Sequence, residues 1–137
     1  MEYLYKELTE RIISAFYEVY NTLGVGFLEK VYEKSLLAEL NLRKIKCKEQ
    51  ARIDVFYKKQ IVGEYYADLI IEDTVIVELK ASEGLVKSNE YQLINYLKAT
   101  KYEVGLLLNF GKKPEISRKI YTNENKRLNT DVTDENE

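Results

Sequence analysis

The chain contains no histidine and no tryptophan, and it has one cysteine and one proline in 137 residues. Without histidine there is no imidazole general base, no Ser-His or Cys-His nucleophile pair, and no zinc site of the Cys/His type. Cys47 has no second thiol in the chain with which to form a redox pair, so we interpret it as a structural thiol. Any chemistry must therefore come from carboxylates, lysines, tyrosines and amides.

Long apolar runs are also missing. No uninterrupted apolar stretch approaches the ~18 residues that a membrane span requires. The N-terminal segment 1–7 carries acids where a signal peptide would have an apolar core. These features predict a cytoplasmic protein with no membrane partner. The 45% of apolar and 32% of charged residues are typical of one globular domain.

The chain has no excess of positive charge, which bears on nucleic acid as a partner. Residues 122–137 hold two basic and five acidic side chains, which leaves residues 1–121 with 19 basic and 18 acidic groups. This balance neither excludes nucleic acid nor supports it. Because the acidic end lacks a periodic apolar set, we predict a domain over residues 1–121 and a disordered tail over residues 122–137.

The spacing of apolar residues predicts two helices at the start of the chain. Apolar side chains recur every three or four positions from Leu4 to Leu23 and again from Leu28 to Leu42, with a short glycine turn between them. Near Ile53 the period changes to two, which is typical of a strand. Two further β-rich runs, 61–71 and 75–81, are separated by a three-residue loop.

A third helix is predicted from an N-cap at Ser88 to about Thr100. The continuous apolar run from Val104 to Leu108 then predicts a strand that is covered on both faces. Residues 116–121 are expected to add one short element. The order α-α-β-β-β-α-β predicts an α/β fold in which helices flank a mixed β-sheet.

The central hairpin places three charged side chains in an apolar setting. With a three-residue loop Ile71 faces Val75, so Asp68 lies opposite Glu78. Lys80 is two residues beyond Glu78 and points to the same face. On this regular pattern one face of the first strand carries Tyr66, Asp68 and Ile70, and the other carries Ala67, Leu69 and Ile71.

Two opposed carboxylates repel each other, by roughly 4 kcal/mol for unit charges ~4 Å apart at an effective dielectric near 20. Protonation of one acid, pairing of both with Lys80, or a divalent cation between them would relieve this repulsion. An Asp, a Glu and a Lys on a half-exposed sheet face are commonly a solvated ion pair. The apolar neighbours instead favour a cleft, where unpaired charge is costly. Carboxylate oxygens suit Mg²⁺ or Mn²⁺, and an ammonium can orient a water that attacks a phosphodiester.

These residues resemble a known pattern. Asp68 followed by Glu78-Leu79-Lys80 is similar to the motif of the PD-(D/E)XK nuclease superfamily, and Gly26-Phe27-Leu28-Glu29-Lys30-Val31-Tyr32 resembles the signature of its GxxExxY family. Segments 66–69, 92–97 and 105–111 extend the resemblance over roughly residues 5–121. It implies a restriction-endonuclease-like core and metal-dependent hydrolysis of phosphodiester bonds in nucleic acid, with DNA favoured.

The resemblance also implies roles for individual residues. Asp68 and Glu78 would bind Mg²⁺ or Mn²⁺ together with the backbone carbonyl of Leu79, and Lys80 would position the nucleophilic water. Glu29 would complete the metal shell directly or through water. The alternative for Glu29 is a helix-terminal acid that the helix macrodipole favours.

The helix after the Glu-x-Lys strand carries Gln92 and Tyr96 on one face, where the resemblance implies contact with the metal shell or a phosphate. A core aromatic with a satisfied hydroxyl is the alternative for Tyr96. Tyr32, one turn after Glu29, is expected to pack and to orient that carboxylate. Related nucleases often form homodimers, so we expect one here. Because no DNA-reading module is present, a non-catalytic nucleic-acid or protein-binding module with this fold remains the alternative function.

Overall fold

The computed structural model describes residues 5–126, which form a five-stranded sheet flanked by three helices. The elements in chain order are α1 (Lys6–Leu23), α2 (Glu29–Leu42), β1 (Cys47–Tyr57), β2 (Gln60–Ile71), β3 (Val75–Lys80), α3 (Lys87–Lys98), β4 (Val104–Phe110) and β5 (Pro114–Ile120). The strands follow the order β1-β2-β3-β4-β5, with β3 and β4 parallel and the other neighbours antiparallel. The predicted α/β fold with a mixed sheet is confirmed.

Both faces of the sheet are covered by helices. One face buries α1 and α2 against the central strands, through Ile12, Phe16, Leu36, Leu69, Val77 and Leu106. The other face buries α3 against the same strands, through Leu93, Leu97, Ile70, Ile76 and Leu107. Burial on both sides accounts for the nearly unbroken apolar sequences of β3 and β4.

The hairpin between β2 and β3 has the predicted register. Ile71 pairs with Val75, and the loop residues Glu72 and Asp73 adopt left-handed backbone conformations with φ of 52° and 51°. The Asp73 carboxylate accepts a hydrogen bond from Tyr102 Oη at 2.8 Å, which holds the loop against the segment between α3 and β4. The three-residue loop that the sequence predicts is therefore confirmed.

The pairing of β1 with β2 is interrupted at Gln50 and Asp68. The residues on either side pair, but these two do not, and Gln50 has a left-handed φ of 50°. A second register shift lies farther along the two strands, between Val55 and Phe56. Leu69 packs in the cluster under α1 and α2, whereas Ala67 packs in the cluster under α3. The prediction that Ala67 and Leu69 share a face is wrong, because such an irregularity breaks the alternation of side chains that a regular strand keeps.

Beyond the interruption, residues 51–67 of β1 and β2 form a two-stranded segment that we call the arm. The pairing of β2 with β3 covers only Leu69–Ile71, so within the described sheet the strands of the arm pair only with each other. The arm ends in a two-residue turn, Lys58 and Lys59, with left-handed φ values of 47° and 72°. Its inner side faces α3, where the rings of Tyr65 and Tyr96 lie 5.6 Å apart.

The loop after β3 is fastened to the end of β4. Asn109 is buried, accepts a hydrogen bond from Ser82 N at 2.9 Å, and donates one to Ser82 O at 3.0 Å. Asn109 Nδ2 also donates to Glu115 Oε1 at 2.9 Å. Gly111 lies directly against the Ser82 carbonyl. Asn109 and Gly111 thus hold the backbone that follows Lys80.

Helix α3 begins at Lys87 rather than after Ser88. Val86 is the N-cap, and its N–H donates to Asn89 Oδ1 at 3.1 Å. The N-cap predicted at Ser88 is wrong, because the helix begins two residues earlier, where the Asn89 side chain binds the N–H of the N-cap residue Val86.

The ends of the described chain bear on the predicted boundaries. Leu4 and residues 127–137 of the predicted tail lie outside the described residues. Residues 122–126, also assigned to that tail, include a 3-10 turn at Asn123–Asn125, and Lys126 Nζ donates to the carbonyls of Thr100 and Tyr102 at 2.8 and 2.6 Å. No helix within 5–126 is long and apolar enough to cross a membrane.

We expect Gly111→Ala to destabilise the fold by roughly 1–3 kcal/mol, measured by chemical denaturation. The added Cβ would overlap the Ser82 carbonyl, a backbone group that Asn109 already holds. Gly84→Ala, in the loop between β3 and α3 that also holds Ser82, is the control, since the nearest atom to its Cβ would be Glu115 Oε1 at 3.9 Å. The control should cost no stability. An equal loss of stability in Gly111→Ala and Gly84→Ala would show that overlap with the Ser82 carbonyl is not the cause.

Candidate active site

Asp68 and Glu78 meet where β2 and β3 separate. The strand pairing ends at Leu69 and Val77, and one residue further each carboxylate binds a backbone N–H of the opposite strand. Glu78 Oε2 accepts from Asp68 N at 2.9 Å, and Asp68 Oδ2 accepts from Leu79 N at 2.8 Å. These two side chains, the carboxylate pair, take the place of the backbone ladder across the gap.

Burial raises the pKa of both members of the carboxylate pair. Glu78 is 6% exposed, and burial followed by the charge of Asp68 raises the pKa of Glu78 to about 8. Burial also raises the pKa of Asp68, against the opposing effect of its hydrogen bond from Leu79 N. In the absence of a cation we therefore expect the pair to hold one proton at neutral pH.

Lys80 lies half-buried at the end of β3, beside Asn109 of β4. Its positive charge lowers the pKa of Asp68 and of Glu78, by less than burial raises them. Since Lys80 follows Glu78 by two residues on one strand, the two side chains point to the same side. The structure thus brings Asp68, Glu78 and Lys80 together at one end of the sheet.

Two acids of α2 face the carboxylate pair. Glu29 is exposed in the first turn of α2, and its charge raises the pKa of Asp68 and of Glu78. Glu33, one turn later, is 5% exposed and raises the pKa of Asp68 more than Glu29 does. Glu33 lies outside the motifs that single out Glu29, Asp68, Glu78 and Lys80. Its position four residues after Glu29, on the same helix face, is the signal that could have found it.

Gln50 connects Glu33 to the interruption in the sheet. Gln50 Nε2 donates to the two carboxylate oxygens of Glu33 at 3.3 and 3.1 Å, and Lys30 Nζ lies 3.5 Å from Glu33 Oε2. Gln50 is also the left-handed residue opposite Asp68. Glu33 therefore stabilises the irregular backbone at which the arm leaves the rest of the sheet.

Gln92 and Tyr96 line a groove between the arm and α3, with a volume of about 450 Å³. We call it the arm groove; its lining includes Val55, Val62, Tyr65, Tyr91, Gln92 and Tyr96. Burial, and then the charges of Glu78 and Asp68, raise the pKa of Tyr96 to about 12. Tyr96 thus lines the arm groove within reach of the charges of the carboxylate pair, whereas Gln92 is exposed.

Tyr32 is a core residue whose hydroxyl serves the turn before α2. Its ring stacks on Phe110 with centroids 4.2 Å apart. Its hydroxyl donates to Gly24 O at 2.6 Å and accepts from Phe27 N at 3.3 Å. The expectation that Tyr32 packs is met, but the expectation that it orients Glu29 is wrong, because its hydroxyl already bonds the backbone of the turn.

The oxygen donors of this site fit a small divalent cation. Each carboxylate uses one oxygen for a backbone N–H, and Asp68 Oδ1 and Glu78 Oε1 accept no hydrogen bond from the residues that the structure describes. Across 5–126, no three His, Cys, Asp or Glu side chains are close enough to bind one ion together. Mg²⁺ is commonly held by one or two carboxylates and keeps several waters. The two unused carboxylate oxygens therefore fit such an ion.

We expect the stability of the metal-free protein to fall as the pH rises from about 4.5 to about 8, because Glu78 keeps a proton that the unfolded chain has lost. Each pH unit in this window costs up to about 1.4 kcal/mol. Glu78→Gln keeps an acceptor for Asp68 N and cannot titrate, so chemical denaturation should give a flatter profile. Glu10→Gln, exposed on α1, is the control and should follow the wild type. A wild-type profile as flat as that of Glu78→Gln would contradict the raised pKa.

The fold has a counterpart among solved structures. The structure titled "Crystal structure of SSO0001" is similar, with a TM-score of 0.56 and 15% sequence identity. The match covers 77% of this chain and 56% of that chain, so this chain corresponds to little more than half of the other. At this identity the likeness shows the fold alone. A search of the curated proteins found no match.

A family model described as the PD-(D/E)XK nuclease superfamily matches residues 6–119. The match runs from the first turn of α1 into β5. It includes the carboxylate pair, Lys80 and both acids of α2. This chain therefore belongs to the PD-(D/E)XK nuclease superfamily.

Proposed function

We propose that this protein is a Mg²⁺- or Mn²⁺-dependent nuclease that hydrolyses phosphodiester bonds in nucleic acid, with DNA favoured over RNA. The observation that carries the proposal is the buried carboxylate pair with one unused oxygen on each side chain. Membership of the superfamily supports a nuclease that depends on a divalent metal. The segment from Gly26 to Tyr32 supports assignment to the GxxExxY family. We further propose that residues 1–121 form the nuclease domain and that the protein is a cytoplasmic homodimer.

A proton and a cation compete for the same place in this site. The raised pKa of Glu78 means that one proton relieves the repulsion within the pair when no cation is bound. Cation binding requires ionised carboxylates and therefore releases that proton. Metal affinity should consequently increase as the pH rises towards about 8.

The bound cation would supply Lewis-acid polarisation of the phosphate and a water of lowered pKa. Asp68 and Glu78 would hold it through the oxygens that the backbone N–H groups leave unused, together with the Leu79 carbonyl. Lys80 Nζ would donate to the attacking water and orient it towards phosphorus. Because the loop after Lys80 is held at Ser82 by Asn109, the lysine backbone is fixed relative to the carboxylates.

The test is cleavage of single-stranded, duplex and branched DNA and RNA in the presence of Mg²⁺, Mn²⁺ or EDTA. We expect cleavage that requires the metal and falls by at least about 100-fold in Lys80→Ala, which removes the group that positions the water. Lys113→Ala, exposed in the turn between β4 and β5, is the matched control and should cut as the wild type does. Full activity of Lys80→Ala would refute the assignment.

A thermal-shift measurement separates metal binding from cleavage. Mn²⁺ should raise the melting temperature of the wild type, more so at the upper end of the pH window, but not that of the Asp68→Asn, Glu78→Gln double variant. Binding of nucleic acid that weakens with salt, without cleavage or a metal-linked shift, would favour the alternative of a non-catalytic binding module.

Glu29 and Glu33 are expected to have different roles. Glu29→Gln should reduce cleavage roughly 10- to 100-fold, as the loss of an outer-shell ligand does. The stability of Glu29→Gln should not change, because the side chain is exposed.

Glu33→Ala should lower the free energy of unfolding by roughly 1–3 kcal/mol, because it removes the contacts with Gln50. Steady-state kinetics measures the cleavage rate and chemical denaturation the free energy of unfolding of Glu29→Gln and Glu33→Ala. A Glu33→Ala variant that is stable but inactive would instead assign Glu33 to the metal shell.

A further inference from the structure

The arm groove presents aromatic surface beside the proposed active site. Tyr65 of the arm and Tyr91 and Tyr96 of α3 line it. Tyr91 is 60% exposed, far more than a tyrosine that serves the core. Exposed rings of this kind offer flat apolar faces on which a planar ligand can stack.

Polar side chains accompany the rings along α3. Ser88, Gln92 and Asn95 also line the groove. Their amide and hydroxyl groups supply hydrogen-bond donors and acceptors next to the stacking surface. A nucleobase has this combination of apolar faces and polar edges, and single-stranded nucleic acid is commonly bound by such aromatic and polar sets.

The distance to the carboxylate pair limits which nucleic acids can use the groove. Tyr65 precedes Asp68 by three residues on β2, which is about 10 Å along a strand, and the charges of the carboxylate pair act on Tyr96 in the groove lining. A short stretch of extended strand can span this distance. A base inside a duplex is stacked and paired, so it could enter the groove only after it leaves the helix.

The charge of the chain agrees with a ligand held by its bases. Residues 1–121 hold 19 basic and 18 acidic groups, so no excess of positive charge adds to the attraction for phosphates on which duplex binding largely depends. On the arm, the Arg52 guanidinium is engaged in ion pairs with Asp54 and Glu64 at 2.8 and 3.5 Å. This balance favours a ligand that is held through its bases as well as its phosphates.

We propose that the arm groove binds an unpaired nucleobase next to the phosphodiester bond that is cut, so that the substrate is single-stranded nucleic acid or an unpaired end rather than continuous duplex. This inference rests on the proposed nuclease function for the position of the cut. Tyr91 and Tyr65 supply the stacking surface, and Gln92 and Asn95 contact the edge of the base.

Binding in EDTA, measured by fluorescence anisotropy of a labelled oligodeoxynucleotide, tests the groove without cleavage. We expect the single strand to bind more tightly than the blunt duplex of the same sequence. Tyr91→Ala should weaken single-strand binding roughly tenfold, the typical effect of losing one stacked base. Two controls should bind as the wild type does: Tyr66→Ala, 48% exposed with its hydroxyl on Glu64, and Tyr17→Ala on α1.

An abasic scan locates the bound base. Replacing one base at a time by an abasic site should weaken binding to the wild type at one position, and Tyr91→Ala should be insensitive to that position. Wild-type preference for blunt duplex, or unchanged single-strand binding by Tyr91→Ala, overturns the inference.

The outcomes for the groove and for the nuclease are separable because the binding assay contains no metal. Single-strand binding that depends on Tyr91, without cleavage under any metal condition, would remove the nuclease function and keep the groove as a base-binding site. Metal-dependent cleavage of duplex with no effect of Tyr91→Ala would remove the groove and keep the nuclease.

Discussion

The separation of β2 from β3 at the carboxylate pair is the feature on which the rest of the structure depends. β3 continues beside β4 as far as Lys80 and Asn109, while β2 leaves with β1 to form the arm. The backbone N–H groups of Asp68 and Leu79 would lose their partners at this point, and buried N–H groups need them. Each carboxylate supplies one. The same contacts hold two like charges together in a buried place, which creates the need for a proton or a cation.

Residues far apart in the sequence support this one end of the sheet. Tyr32 stacks on Phe110, and Tyr20 Oη on α1 donates to the carbonyls of Gly111 and Lys112 at 2.8 Å each. The first two helices are thereby tied to the end of β4, which in turn holds the loop after Lys80 through Asn109. The segments around Tyr32 and Phe110, which resemble the family pattern, therefore serve packing. The charged residues Asp68, Glu78 and Lys80 carry the proposed chemistry.

The irregularity at Gln50 links the fold to the proposed substrate. It turns Ala67 towards α3 and leaves the arm facing that helix across a groove lined by tyrosines. A regular β1–β2 ladder would keep one alternation of side chains along its length. The break in the sheet at which the two carboxylates meet thus also forms the groove beside them.

The sequence by itself determined the elements and the opposition of Asp68 and Glu78. The absence of histidine limited the chemistry to carboxylates and lysine, apolar periodicity located α1 and α2, and the three-residue loop set the register of the hairpin. These are local properties, which depend on residues close together in the chain.

Only the tertiary structure decided where the sheet breaks and which acids face the break. The left-handed backbone of Gln50 is accompanied by a contact with Glu33 of α2, and the start of α3 depends on the reach of Asn89 rather than on Ser88. The groove arises from the approach of the arm to α3. Periodicity cannot reveal these features, because contacts between segments distant in sequence override the regular pattern of each strand and helix.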